Sequence, residues 1–167
     1  MSQNARHLIC KRHRFEIATM LNRRNFLIAA AVTPFATRAF AARPEQFATN
    51  GVAIHGIDPV GYFTQGGPIE GDAAFALDWR GATWYFASIE TRSAFEMHPE
   101  KYAPQYGGYC AYAMAQGAVA TTVPEAWTIY EDRLYLNFST GVRGLWRQDI
   151  PGNVSKADGY WPDALNA

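Results

Sequence analysis

The chain has 167 residues, of which 49% are hydrophobic, with 15 basic and 15 acidic side chains. The zero net charge hides an asymmetry, because residues 1–41 hold seven basic and one acidic side chain while the other 126 residues (167 minus 41) hold eight basic and 14 acidic. The resulting net charge of −6 (8 minus 14), without basic clusters, argues against nucleic acid and anionic membrane surfaces as partners. A length of 126 residues predicts one domain with a real core.

The N-terminal region has the pattern of an export signal. Arg23 and Arg24 precede Phe26 and Leu27 in the pattern R-R-x-F-L, and a short apolar stretch follows them. This stretch is shorter than the ~20 apolar residues of a membrane-spanning helix, so we expect no stable membrane anchor. It fits the apolar region of a signal peptide, and R-R-x-F-L resembles a twin-arginine signal, which bacterial export machinery reads. The sequence therefore predicts a periplasmic protein.

Two further features define the expected precursor. Ala39 and Ala41 form a small-x-small pattern, which predicts cleavage after Ala41. Met20 lies three residues before Arg23, where such a signal would begin, and we expect it to be the true start. Residues 1–19 would then not belong to the protein.

After cleavage we expect a loose linker over 42–50, then one domain over 51–162, with no internal repeat. The stretch "FALDWRGATWYFAS" alternates around Arg80-Gly81 and predicts a hairpin. Ser88 is placed to cap a helix that Pro99 ends. The stretch "YCAYAMAQ" predicts a helix ended by Gly117.

The C-terminal part of the sequence continues the same alternation of hairpins and helices. "AWTIYEDRLYLNFS" predicts a second hairpin turning at Glu131-Asp132, and "GVRGLWRQDI" and "NVSKADGYW" predict short helices that pack tryptophans onto the sheet. Hairpins and short helices in this order indicate a small single-domain α+β fold.

Several of these segments resemble the YHS domain. The matching stretches are "HGIDPVGYF", then "GATWYFASIETRSAFEMHPEKYAPQYGGYCAYAMAQG", then "AWTIYEDRLYLNFS", and they are most similar to short exported YHS proteins of bacteria, some of which carry selenocysteine. The resemblance implies a treble-clef-like core and a binding role for heavy metals, held by the family's cysteines.

This chain lacks the cysteines of that family. The three family positions carry Gly61, Ala87 and Thr91, so the resemblance implies no zinc bound at these positions. One cysteine, Cys110, remains after the expected cleavage, and it cannot form an internal disulfide.

Cys110 has three readings from sequence. Cys110 and Met114 are four residues apart and would share a helix face, where thiolate and thioether suit Cu(I) or another soft metal, with His55 or His98 as a third ligand. The glycines before Cys110 could instead open a helix N-terminus that activates a redox thiol. The third reading is a free cysteine buried in an alanine-rich core helix.

A pocket lined by Asp58 and several tyrosines is a separate hypothesis. Asp58 before a proline favours a turn, and Tyr62, Tyr106 and Tyr109 could line a pocket or pack as core residues. No catalytic triad, phosphate loop, paired carboxylates or HExxH motif occurs, so the sequence names no reaction. It predicts a periplasmic binding module; the alternatives are a structural or interaction domain and a thiol redox protein.

Overall fold

A computed structural model describes residues 42–167. The predicted start at Met20, the arginine pair and the cleavage site after Ala41 lie outside the described residues. In the described part of the chain, no helix has the length and apolar character needed to cross a membrane.

The described residues form a small α+β domain of short strands and short helices, as the sequence predicts. The strands are β1 (Ala48–Thr49), β2 (Val52–Ala53), β3 (Ile57–Asp58), β4 (Ile69–Glu70), β5 (Asp72–Trp79), β6 (Ala82–Phe86), β7 (Val123–Tyr130) and β8 (Arg133–Asn137). The α-helices are α1 (Gly61–Thr64), α2 (Ile89–Met97), α3 (Pro99–Tyr102), α4 (Ala111–Met114), α5 (Thr140–Trp146) and α6 (Ile150–Tyr160). Among the short 3-10 turns, two matter for the site: Ile54–Gly56 and Gln105–Gly108.

The strands form three sheets. Four strands pair in the order β1-β2-β6-β5, in which β2 and β6 are parallel and the other pairs antiparallel. Strands β3 and β4 form one small antiparallel sheet, and β7 and β8 form another. Trp84, Phe86 and Phe95 are fully buried beneath the first sheet and α2, where their rings pack against one another.

Both predicted hairpins are confirmed, and each turns through two residues with positive φ. These residues are Arg80 and Gly81 in the first hairpin and Glu131 and Asp132 in the second. Two consecutive positive φ angles give the turn that matches the right-handed twist of a two-residue hairpin. The predicted cap of α2 is also confirmed, because the Ser88 hydroxyl accepts a hydrogen bond from the Thr91 amide at 3.3 Å.

Residues 42–50 are not the expected loose linker. Gln46 and Phe47 are buried, and β1 joins the four-stranded sheet. The cause is contact with residues far along the chain, because the Phe47 amide donates to the Gly107 carbonyl at 2.8 Å and the Phe47 ring packs on Tyr109. Nearby, the Arg43 amide donates to the Leu165 carbonyl at 3.0 Å, and Leu165 shares a core cluster with Phe47 and Tyr109. The predicted helix around Cys110 is also shorter than expected, since α4 has a single turn.

The structure contains an internal repeat, contrary to the expectation from sequence. Strands β7 and β8 begin and end 51 positions after β5 and β6 (123 against 72, 133 against 82). The registers also agree, since Trp79 pairs with Ala82 and Tyr130 with Arg133, and both hairpins have an irregularity in the same place. The helices α2 and α5 then start from equivalent serines, Ser88 and Ser139, with φ of −157° and −158°.

The repeat includes the segment before each hairpin. Ile54, His55 and Gly56 have φ of 38°, 62° and 78°, and 52 positions later (106 against 54) Tyr106, Gly107 and Gly108 have φ of 57°, 61° and 84°. Each left-handed turn leads to an extended residue and then to a buried polar one, and a single-turn helix, α1 or α4, follows. The domain is therefore built from two copies of one unit, which we call the first and second repeats.

Candidate functional site

Cys110 is enclosed by backbone and side chains at the start of α4. Its residue is 1% exposed, and its Sγ accepts hydrogen bonds from the amides of Ala113 at 3.5 Å and Phe138 at 3.3 Å. The thiol donates to Oδ1 of Asn137, 3.8 Å away, and this oxygen also accepts from the Tyr112 amide. Cys110 thus acts as a hydrogen-bonding group in the interior.

Two other predicted soft-metal ligands lie in different environments. Met114 is fully buried in a cluster with Trp146 and Tyr135. His55 is exposed, and its Nε2 donates to the Thr122 carbonyl at 2.7 Å. Within residues 42–167, no group of three or more His, Cys, Asp or Glu side chains is arranged to hold a metal ion.

Asp58 is the counterpart of Cys110 in the first repeat. It is fully buried, and its two carboxylate oxygens accept from the amides of Val60 at 2.8 Å and Ala87 at 2.9 Å. Ala87 and Phe138 are equivalent residues, one directly after β6 and the other directly after β8. A carboxylate in one repeat and a thiol in the other therefore accept a hydrogen bond from equivalent backbone N–H groups. Both side chains hold the end of a strand in place.

The three tyrosines of the pocket hypothesis belong to three separate core clusters. Tyr62, Tyr106 and Tyr109 are all buried, and each hydroxyl donates to an acceptor of its own. The acceptors are the Pro124 carbonyl at 3.1 Å, the Asp158 carboxylate at 2.9 Å and the Pro44 carbonyl at 2.8 Å. Burial raises the pKa of all three phenols above the usual value, and for Tyr106 the hydrogen bond to Asp158 raises the pKa further.

Gly61, Ala87 and Thr91, which the resemblance to YHS domains would align with cysteines, have structural roles here. A Cβ on Gly61 would lie 2.8 Å from Ile69, so this position has no room for a side chain without a shift of that residue. The amide of Ala87 donates to Asp58, and Thr91 completes the capping box of α2.

A surface cleft beside His55 is the best candidate for a ligand site. It has a volume of about 470 Å³, within the usual range for small-molecule sites. We call it the His55 cleft, and its lining residues are Thr49, Val52, His55, Gly56, Ile57, Glu70, Gly71 and Tyr85. A cleft of about 370 Å³ near Arg80 is formed by one hairpin turn alone, and the Arg80 guanidinium is already paired with Glu45 and Glu100.

Close packing between glycines and an aromatic ring shapes the floor of this cleft. A Cβ on Gly71 would lie 2.5 Å from the backbone of Tyr85, so the chain at this position must be glycine. A Cβ on Gly56 would lie 3.3 Å from the Tyr85 ring. The Tyr85 ring therefore lies directly against the backbone. The ionisable side chains that line the cleft are those of His55, Glu70 and Tyr85.

The backbone at the edge of the cleft is strained. Ile54 and His55 both have positive φ, which is uncommon for residues with a Cβ and an outlier for a β-branched one. Each such residue costs on the order of 1–3 kcal/mol, and such strain clusters at functional sites. The turn presents the His55 ring edge-on to Phe47, with a centroid distance of 5.2 Å.

The sequence suggested His55 only as a metal ligand, and it did not point to Glu70, Gly71 or Tyr85. Glu70 is in β4, Gly71 lies between β4 and β5, and Tyr85 is in β6, so only the fold brings them together and no spacing rule joins them. The sequence does contain one indication of the turn at the edge of the cleft, the pair His55-Gly56, since a glycine after a polar residue favours a left-handed turn.

The cleft combines an aromatic surface, a carboxylate and an imidazole at an open surface, which suits binding of a small polar-aromatic molecule. It contains no nucleophile paired with a base, and the buried Cys110 is not among its lining residues. No family model, no curated protein and no solved structure matches the chain.

Proposed function

We propose that this chain is the precursor of an exported, periplasmic binding module with a YHS-like scaffold and a treble-clef-like core. In this proposal the mature domain binds a small molecule in the His55 cleft. The export motif at Arg23 and Arg24 supports the location, and the matched stretches described above support the scaffold.

The observation that carries the binding proposal is the strained His55 turn beside an open cleft. A fold does not keep two side chains at positive φ without compensation, and here the strained turn forms one wall of a cleft of about 470 Å³. The His55, Glu70 and Tyr85 side chains that line the cleft are the few polar groups that a ligand site uses.

The test is a screen of a small-molecule fragment library against the purified isotope-labelled protein by NMR. Fragments should shift the amide signals of Gly56, Gly71 and Tyr85. Thr49→Trp, which places a large ring at the exposed rim of the cleft, should abolish these shifts. Ser155→Trp on the exposed side of α6 is the matched control and should leave them unchanged.

Two results would overturn the proposal. One is a screen in which no fragment shifts the cleft residues, and the other is fragment binding that Thr49→Trp does not affect. A titration with Cu(I) tests the soft-metal reading of Cys110 in the same sample. Stoichiometric uptake that is lost in Cys110→Ser and weakened in Met114→Leu would move the binding site from the cleft to Cys110.

A further inference from the structure

The His55 cleft has a counterpart in the second repeat, and a residue of the protein itself packs against that counterpart. The residues equivalent to His55, Gly56 and Ile57 are Gly107, Gly108 and Tyr109, each 52 positions later. If the two repeats share a binding geometry, the group that packs against the second repeat shows what fits the first.

Phe47 is the aromatic residue that packs against the turn of the second repeat. Its amide donates to the Gly107 carbonyl at 2.8 Å, and its ring packs on Tyr109 with a centroid distance of 5.6 Å. A Cβ on Gly108 would lie 2.8 Å from Ile54, 3.3 Å from Pro104 and 3.8 Å from the Phe47 Cβ, so the benzyl group is one of three side chains that pack at this glycine. The turn of the second repeat therefore contacts a phenyl ring and an N–H donor of one residue, in which the nitrogen is two bonds from the Cβ that carries the ring.

In the first repeat, the equivalent residues line an open cleft. Gly56 and Ile57 take the places of Gly108 and Tyr109, and the carbonyl equivalent to that of Gly107 belongs to His55. The aromatic wall here is a different residue, because Ile57 replaces Tyr109 and the Tyr85 ring lies beside Gly56.

One difference between the repeats limits the size of the ligand. A Cβ on Gly107 would collide with the Glu45 carbonyl, so the chain before Phe47 passes directly over this glycine. His55 has a Cβ at the same position, and its imidazole extends to the Thr122 carbonyl. A peptide on the path of Glu45 to Phe47 would clash with this side chain, whereas a ring with one amino group would not.

A second difference sets the charge of the ligand. Glu70 is exposed and lines the cleft, whereas the equivalent residue in the second repeat, 51 positions later, is Thr121. Glu70 pairs with Ile57, two positions after His55, and a carboxylate in this neighbourhood favours a protonated amine over a neutral amide.

We propose that the His55 cleft binds a small aromatic amine, with a phenyl-type ring and a protonated amino group on a short arm. The ring would lie against Tyr85 and Ile57, and the ammonium group would donate to the His55 carbonyl and the Glu70 carboxylate. This inference rests on the proposed function and names the ligand class of the same cleft.

The experiment is an NMR titration of the purified protein with phenethylamine, with 3-phenylpropanoate as the probe that keeps the ring and reverses the charge. Phenethylamine should shift Gly56 and Tyr85, and phenylpropanoate should not. Glu70→Gln should weaken phenethylamine binding by about fivefold, since one partly exposed charge pair is lost. Glu131→Gln, an exposed carboxylate in the second hairpin turn, is the matched control and should have no effect.

Equal binding of the two probes, or an unchanged affinity in Glu70→Gln, would overturn the inference. Failure of phenethylamine together with cleft binding by other fragments would overturn this inference and leave the proposed function intact. Failure of every fragment and both probes would overturn both.

Discussion

Asp58 and Cys110 solve the same structural problem with different chemistry. In each repeat a strand ends at a buried position, and the N–H of the next residue, Ala87 or Phe138, needs an acceptor. A buried N–H without a partner costs about 1–3 kcal/mol. The carboxylate accepts two hydrogen bonds at 2.8–2.9 Å, whereas the larger sulfur accepts two at 3.3–3.5 Å.

Substitutions of Cys110 should therefore separate its acceptor role from its volume. Cys110→Ala removes the acceptor and leaves the N–H groups of Ala113 and Phe138 unpaired, so we expect a loss of about 2–4 kcal/mol, including a small cavity. Cys110→Ser keeps an acceptor and should lose clearly less. Urea unfolding measures both values, and equal losses would contradict the acceptor role.

At the scale of elements, each repeat places a serine between its second strand and its helix. Each hydroxyl accepts a hydrogen bond from the amide three residues later: Ser88 from Thr91 at 3.3 Å and Ser139 from Val142 at 3.2 Å. The two caps have nearly identical backbone angles, which indicates that hairpin, cap and helix form one reused unit.

The two caps should contribute similarly to stability. Ser88→Ala and Ser139→Ala should each lower the free energy of unfolding by about 1 kcal/mol, because each removes the acceptor of a helix N-terminal N–H. Ser155→Ala, at an exposed position inside α6, should change it by less than about 0.5 kcal/mol. If either cap variant behaves like Ser155→Ala in thermal or urea unfolding, the equivalence of the repeats at this position fails.

Local patterns predicted the elements, but they did not predict the repeat. Both hairpins and the Ser88 cap follow from alternation, turn residues and a capping side chain, which act within a few residues. Across the 24 positions from 72 to 95, however, only Ser88 and Arg92 are identical to the residues 51 positions later. The two units share backbone geometry and hydrogen bonding, and different side chains satisfy both, so the sequence hides the duplication. The His55 cleft was missed for a related reason, since its lining comes from segments that only the fold brings together.

At the scale of the whole molecule, the tyrosine hydroxyls make the domain sensitive to alkaline pH. Burial raises the pKa of Tyr62 and Tyr106 above that of an unfolded tyrosine, which is about 10. Above about pH 10 the unfolded chain loses protons that the folded chain keeps, so the unfolded state binds fewer protons and stability falls as pH rises. Below that pH the buried hydroxyls of Tyr62 and Tyr106 make their full contribution to stability.

We therefore expect the urea concentration at the unfolding midpoint to be lower at about pH 10.5 than at about pH 8. Tyr106→Phe should make this difference smaller. Tyrosinate absorbance of the buried phenols should appear together with unfolding, as followed by circular dichroism. Ionisation of these phenols in a chain that is still folded would contradict the role assigned to their burial.

The hydrogen bond between the Arg43 amide and the Leu165 carbonyl has a consequence for chain connectivity. It places the entry and exit of the folded chain side by side, so a short peptide could join them without disturbing either repeat. The chain could then be cut between α3 and the Gln105–Gly108 turn, where the first repeat passes into the second. The resulting circular permutant would carry the two repeats in reversed order, and Phe47 would follow the Gln105–Gly108 turn in the chain instead of preceding it.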